Sequence, residues 1–264
     1  MKSRQSEKLW CEIRALGPTV AEIWIYEQIG VDFWTGEGIT AKAFVEELSA
    51  LNVSQIDLHI NSPGGNVFDG QAIFNALASH PANVTTYIDA LAASIASVIA
   101  LAGNEVIMAE NALFMIHEPS GCACGTASDL RSLADVLDKI TGTFTNTYVD
   151  HSNLSVDEVT AAIKAETWYT ATEALDAGFV DQIGDALQVA ANFDLKALGY
   201  KHVPEPLIAA APVAAVDQPA DATAIDDPDQ QIQPEAGAAS VPEGGSPSNK
   251  RGEAFVPGLG FVKI

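Results

Sequence analysis

Apolar residues recur along this chain in short blocks, and within the blocks the period switches several times between about two and about three and a half residues. Val20-Ala21-Glu22-Ile23-Trp24-Ile25-Tyr26 predicts an apolar strand, followed by a glycine turn at Gly36-Glu37-Gly38. Thr40 can cap a helix in which Phe44, Val45 and Leu48 share a face ahead of Leu51. Ile56-Asp57-Leu58-His59-Ile60 alternates as a strand does and runs into Asn61-Ser62-Pro63-Gly64-Gly65. Val67 to Leu77 then predicts a helix offering Phe68, Ile73, Phe74 and Leu77 for packing. The rhythm repeats with a strand at Val84–Ile88, a buried helix at Ala93–Ala102, and strands at Glu105–Met108 and Ala112–Ile116. Such alternation predicts an α/β domain with largely parallel strands and crossover helices, and makes polar groups at strand ends the site candidates.

Beyond the small residues Ser120–Gly125, the positions Leu130, Leu133, Leu137, Ile140, Phe144 and Tyr148 form an apolar stripe on one long helix, and the stripe needs a partner surface. Ser155-Val156-Asp157-Glu158 has the pattern of a capping box opening a second helix. Trp168-Tyr169-Thr170 predicts a short strand, and Ala174 to Gly178 a helix ended by glycine. From about Pro204 the composition turns to Ala, Pro, Asp, Gln, Gly and Ser without periodic apolar content, which predicts a disordered acidic tail. Phe255 to Ile264 regains apolar character and suits a docking peptide or a frayed end.

Composition narrows the function. A chain of 264 residues can bury a substantial core, here read as one domain with a tail. The formal charge of −22, from 13 Lys and Arg against 35 Asp and Glu, argues against a surface that tracks phosphates, so nucleic acid is not expected as a partner. The longest apolar stretch, Ala90 to Gly103, is shorter than the roughly 20 residues that span a bilayer, so no membrane partner is expected. Charges at Glu12 and Arg14 interrupt any signal-type apolar run after the basic Met1–Lys8. Cys11, Cys122 and Cys124 leave at least one thiol unpaired, and Cys122-Ala123-Cys124 does not read as a zinc site. A reduced, cytoplasmic compartment is the expectation, with neither metal nor cofactor.

Chemistry concentrates at three strand ends. A serine hydroxyl becomes a nucleophile when an imidazole takes its proton, and Ser94 in Ala92-Ala93-Ser94-Ile95-Ala96 and His117 in Met115-Ile116-His117 are the candidates. Ser94 is expected in the first turn of the buried helix; Ser97, deeper in it, is the competing nucleophile. Gly64-Gly65 can present amides to a tetrahedral oxyanion, with the Ile95 amide as second donor.

The ordered set Asn-Ser-Pro-Gly-Gly, Ala-Ala-Ser and Met-Ile-His, followed by a long helix and Glu173-Ala174-Leu175-Asp176-Ala177-Gly178-Phe179-Val180-Asp181, resembles the Clp protease (ClpP) family over roughly residues 20–187. From Gly38 to Ile183, with Ala165-Glu166-Thr167-Trp168 before the closing helix, the chain more closely resembles the ClpP-like head maturation (prohead) proteases of tailed phages. The resemblance implies a ClpP/crotonase-like fold of repeated β-β-α units with a protruding handle helix. It divides the chain into an N-terminal segment 1–19, a protease domain 20–190 and an acidic tail 191–264, scaffold-like or linker. It implies Ser94 as nucleophile, His117 as base, Gly65 and Ile95 as oxyanion amides, and Glu166 in place of the usual third-position aspartate, with Asp150 and Asp157 as weaker alternatives. Gly64 serves the turn, and Gly121, Cys122, Ala123 and Cys124 match the strand that pairs with extended substrate.

The partners implied are polypeptides, among them capsid and scaffold proteins, and further copies of the chain in a ring that stacks through the handle at about Ala127–Asp150. No Walker-type motif is present, so any ATPase would be a separate partner. The competing readings are a housekeeping Clp-type peptidase and a crotonase-type acyl-CoA enzyme.

Overall fold

A computed structural model describes residues 11–31, 40–189 and 193–205, with the backbone of 253–256 and 260–263. The glycine turn at 36–38 and most of the expected tail lie outside these residues. The elements are β1 (Cys11–Ala15), β2 (Val20–Ile25), α1 (Ala41–Ala50), β3 (Gln55–Ser62), α2 (Val67–Ala78), β4 (Asn83–Ala93), α3 (Ile95–Ala100) and β5 (Glu105–Ala109). They continue with β6 (Leu113–Ile116), α4 (Ala127–Asp150), α5 (Val156–Ala165), β7 (Thr167–Thr170), α6 (Ala171–Ala177) and β8 (Gln182–Gly184). Last come β9 (Glu253–Val256) and β10 (Gly260–Lys263), which pair with each other antiparallel.

The sheet runs β1-β2-β3-β4-β5-β8, parallel from β2 onward, with β1 antiparallel at one edge. The N-terminal segment thus supplies an edge strand to the domain. Along β2 and β3 every second side chain is buried, Ala21, Ile23 and Ile25 beside Ile56, Leu58 and Ile60. Against this sheet and its α2–α3 crossovers pack Phe44 and Leu48 of α1 and Ile73 and Leu77 of α2. Burial contributes about 1.5–3 kcal/mol for each such side chain. Phe68, expected in the core, is 52% exposed, because its place in the first turn of α2 turns it away from the face that holds Ile73 and Leu77. The opposite sheet face carries Trp24, His59 and Tyr87 in register, stacked with centroids 5.7 and 4.9 Å apart.

The caps form as the sequence predicts. The Thr40 hydroxyl accepts from the Ala43 amide, and Ser155 with Glu158 closes a reciprocal capping box. The stripe of α4 divides in two: Phe144 and Tyr148 are buried, whereas Leu130 is 48% exposed, so the first half of the helix stands clear of the domain.

One departure builds the site. The strand expected at Val84–Ile88 continues to Ala93, and the expected helix start at Ala93 is strand. Between the pairs Ile60↔Ile88 and Ser62↔Ala92, β4 advances four positions while β3 advances two, and this irregularity carries the end of β4 away from β5. There it pairs in parallel with β6, which pairs antiparallel with β7.

Candidate active site

The β4–β6 register sets the central pair. Ala93 lies opposite Met115, so Ser94 and His117 leave the ends of adjacent strands within one or two residues of that pair. The Ser94 amide extends the ladder by donating to the Met115 carbonyl at 3.0 Å. His117 Nε2 and Ser94 Oγ are 2.8 Å apart, a direct hydrogen bond.

Ser94 is not in the first helical turn. It is the residue before α3, with φ 57° and ψ −129°, a conformation that suits glycine and is strained for serine. The strain is held from both sides: the amide by Met115, and the carbonyl by the Ser97 amide at 2.9 Å and the Ser97 hydroxyl at 2.5 Å. Ser97 itself is fully buried, and its Oγ lies 2.7 Å from the Tyr148 hydroxyl. The competing serine is therefore a brace for the first one.

Backbone donors converge beside the hydroxyl. Ile95 opens α3, so its amide has no acceptor within the helix. At the Asn-Ser-Pro-Gly-Gly turn, Ile29 donates to the Gly64 carbonyl at 2.8 Å and accepts from the Asn66 amide at 2.9 Å. In a parallel ladder this turns the Gly65 N–H away from Ile29, free for a ligand. A Cβ on Gly65 would stand 2.2 Å from the Ile29 carbonyl oxygen, and one on Gly64 2.8 Å from Ser94 Cβ, so only glycine brings this turn against the serine. Gly70 has a like role, since a Cβ there would meet Ile95 at 2.2 Å.

Glu166 ends α5 at φ 52° and is 8% exposed. Among the described residues its carboxylate accepts from the Lys201 and His202 amides, at 2.8 and 2.7 Å, and it acts on His117 by charge rather than by a hydrogen bond. Burial lowers the His117 pKa below the ordinary histidine value; Glu166 opposes this and Lys201 adds to it. The imidazole is thus neutral at neutral pH, as a base must be. Asp150 closes α4 and Asp157 lies in the first turn of α5. Neither enters the hydrogen bonds around His117.

Gly121–Gly125 belongs to no strand among the described residues, although exposure alternates over Gly121, Cys122, Ala123 and Cys124 as in an extended chain. Gly121 lies over Leu133 and Leu137 of α4. An extended segment with no neighbour on its edge makes no ladder bonds, so it is not counted as strand. Sequence reasoning missed Tyr200. Its ring stacks on His117 with centroids 5.1 Å apart, and its hydroxyl hydrogen-bonds the Pro63 carbonyl. It lies past the expected boundary at 190, yet Leu195 is 3% exposed and packs with Leu91, Ala93 and Met115. The signal was Phe193-Asp194-Leu195 followed by Leu198-Gly199-Tyr200, an apolar pattern closed by glycine.

A hydroxyl bonded to a neutral imidazole, beside unoccupied backbone donors, is the equipment of a serine hydrolase. A family model described as Clp protease matches residues 32–186. The chain is 36% identical over 149 residues to the ATP-dependent Clp protease proteolytic subunit 2 of Thermobifida fusca, covering 54% of this chain and 73% of that protein. It is 34% identical over 139 residues to proteolytic subunit 1 of Leifsonia xyli, covering 52% and 71%. A mutant ClpP1 structure from Listeria monocytogenes superposes with a TM-score of 0.53 at 22% identity, over 61% of this chain and 90% of that one, a likeness in fold. The chain belongs to the Clp protease family, and so to a family of peptidases. No helix among the described residues is long and apolar enough to cross a membrane.

Proposed function

We propose that this chain is a serine endopeptidase in which Ser94 attacks the scissile carbonyl and His117 takes its proton. Gly65 and Ile95 hold the oxyanion, and Glu166 stabilises the imidazolium that forms. The observation that carries the reading is the 2.8 Å bond between His117 Nε2 and Ser94 Oγ at a strained strand end. Extended substrate pairs with Gly121–Cys124 through main-chain bonds, which tolerates many sequences. Copies of the chain assemble into a ring, with the exposed first half of α4 as the stacking handle. Ser94→Ala should abolish cleavage and leave assembly intact, whereas activity that survives it moves the nucleophile elsewhere. Glu166→Ala should cause a smaller loss, because base and oxyanion donors remain.

The substrates we propose are capsid and scaffold proteins of an assembling phage head, on the strength of the Gly38–Ile183 resemblance. The second reading, a peptidase driven by a separate ATPase, is favoured by the ATP-dependent relatives from Thermobifida fusca and Leifsonia xyli. Cleavage of scaffold protein by the chain alone supports the first. Degradation of a folded protein only when a Clp ATPase is added supports the second.

A further inference from the structure

Residues 193–203 cross the site in a way that catalysis does not need. The segment begins with a turn in which the Asp194 carboxylate accepts from the Ala197 amide at 3.0 Å. The turn closes through Gly199 N–H to the Lys196 carbonyl at 3.0 Å and Tyr200 N–H to the Leu195 carbonyl at 3.1 Å, with Gly199 at φ 89°. This is a Schellman closure, which brings the side chains at its two ends, Leu195 and Tyr200, to the same side. Both enter one apolar patch, separate from the main core, built from Leu91 and Ala93 of β4, Leu113 and Met115 of β6 and Trp168 of β7. That patch adjoins the Ser94–His117 pair, since Ala93 precedes Ser94 and Met115 lies two residues before His117.

Three contacts then fall around the Ser94–His117 pair. The Tyr200 ring lies on the His117 imidazole and meets Trp168 in a T-shaped contact with centroids 5.8 Å apart. Its hydroxyl donates to the Pro63 carbonyl in the oxyanion turn. Finally, the amides of Lys201 and His202 both donate to Glu166 Oε1, which ties the segment to the acid that acts on His117.

We propose that residues 193–203 are an autoinhibitory strap. It fills the apolar pocket beside Ser94 with the chain's own Leu195 and Tyr200, and must lift before a polypeptide with an apolar or aromatic side chain can enter. This rests on the serine peptidase reading. A site open only in a minor population shows its affinity and reactivity reduced by that fraction.

The test uses the full chain and two readouts. The first is the rate at which a fluorophosphonate modifies Ser94 in the wild type, Tyr200→Phe and Tyr200→Ala. Tyr200→Ala should react about tenfold faster or more, with Tyr200→Phe between, as expected when a strap closed about nine-tenths of the time is released. A rate equal to or below wild type overturns the strap and makes Tyr200 part of the working site. The second is hydrogen exchange at Lys201 and His202, measured in Ser94→Ala protein, where no catalysis occurs. Their amides should be protected and should lose that protection when Tyr200→Ala is added; unchanged exchange overturns the strap. Reagent that still labels Ser94→Ala contradicts the peptidase reading instead, and leaves the exchange result to judge the strap.

Discussion

Ser94 holds φ 57° and ψ −129°, a backbone state that costs a residue with a Cβ about 1–3 kcal/mol. Replacing it by alanine or by glycine removes the same hydroxyl and the same bond to His117, so comparing the two variants isolates the backbone. Glycine relieves the strain, but it loses about 0.5–1 kcal/mol more chain entropy on folding and gives up the half-buried Cβ. Ser94→Gly should therefore be more stable than Ser94→Ala by about 1 kcal/mol, and both should be inactive on the proposed role of Ser94. The Met115 and Ser97 bonds use main-chain atoms of residue 94, so both variants keep them and the backbone stays in place. The assay is urea unfolding of both variants at equal concentration and equal oligomeric state, with the midpoints compared at a common slope. A glycine variant as stable as the alanine variant, or less so, would refute the claim that strain is stored at Ser94.

Ser97→Ala should keep proteolysis while destabilising the chain by about 1–3 kcal/mol, because the buried Tyr148 hydroxyl loses its 2.7 Å partner and keeps only a 3.5 Å bond to the Ser94 carbonyl; activity assays and unfolding on one preparation separate the two effects. Burial lowers the His117 pKa, so the acid limb of kcat/KM should lie below the ordinary histidine value. Glu166→Gln removes the charge that opposes this, so it should move that limb further down and slow the reaction about 100-fold less than Ser94→Ala does. A limb that moves up in the pH–rate profile contradicts the coupling. At His59, burial lowers the pKa, but the hydrogen bond and charge of Asp89, with Glu22 and Asp57, leave it raised. A histidine raised on folding stabilises fully below its unfolded pKa and loses that contribution as pH rises through the folded one. Unfolding curves should thus show a stability loss as pH rises past the ordinary histidine value that is absent in His59→Gln.

Local signals carried most of the architecture. The caps at Thr40 and Ser155 and the alternation in β2 and β3 depend on residues within a turn or two of one another, so the sequence displays them directly. The identities of Ser94, His117 and Gly64-Gly65 were equally plain, because few other reasons place a hydroxyl, an imidazole and paired glycines at successive strand ends. Tertiary structure alone decided how far β4 runs. Val84–Ile88 is strand by its own propensity, whereas Leu91–Ala93 is strand because β6 and Ser62 supply ladder partners distant in sequence, against the helical preference of alanine. The same non-local pairing holds Ser94 at a positive φ and sets Ser97 under its carbonyl, while packing on the domain buries Phe144 and Tyr148 of the α4 stripe and leaves Leu130 exposed. Tyr200 and the amides at Glu166 belong to this class too, since a contact made 106 residues from Ser94 leaves no periodic trace near that serine. Composition and period determine which segments can form elements; which side chains then meet depends on loop closure and packing, and neither is written in any single stretch of chain.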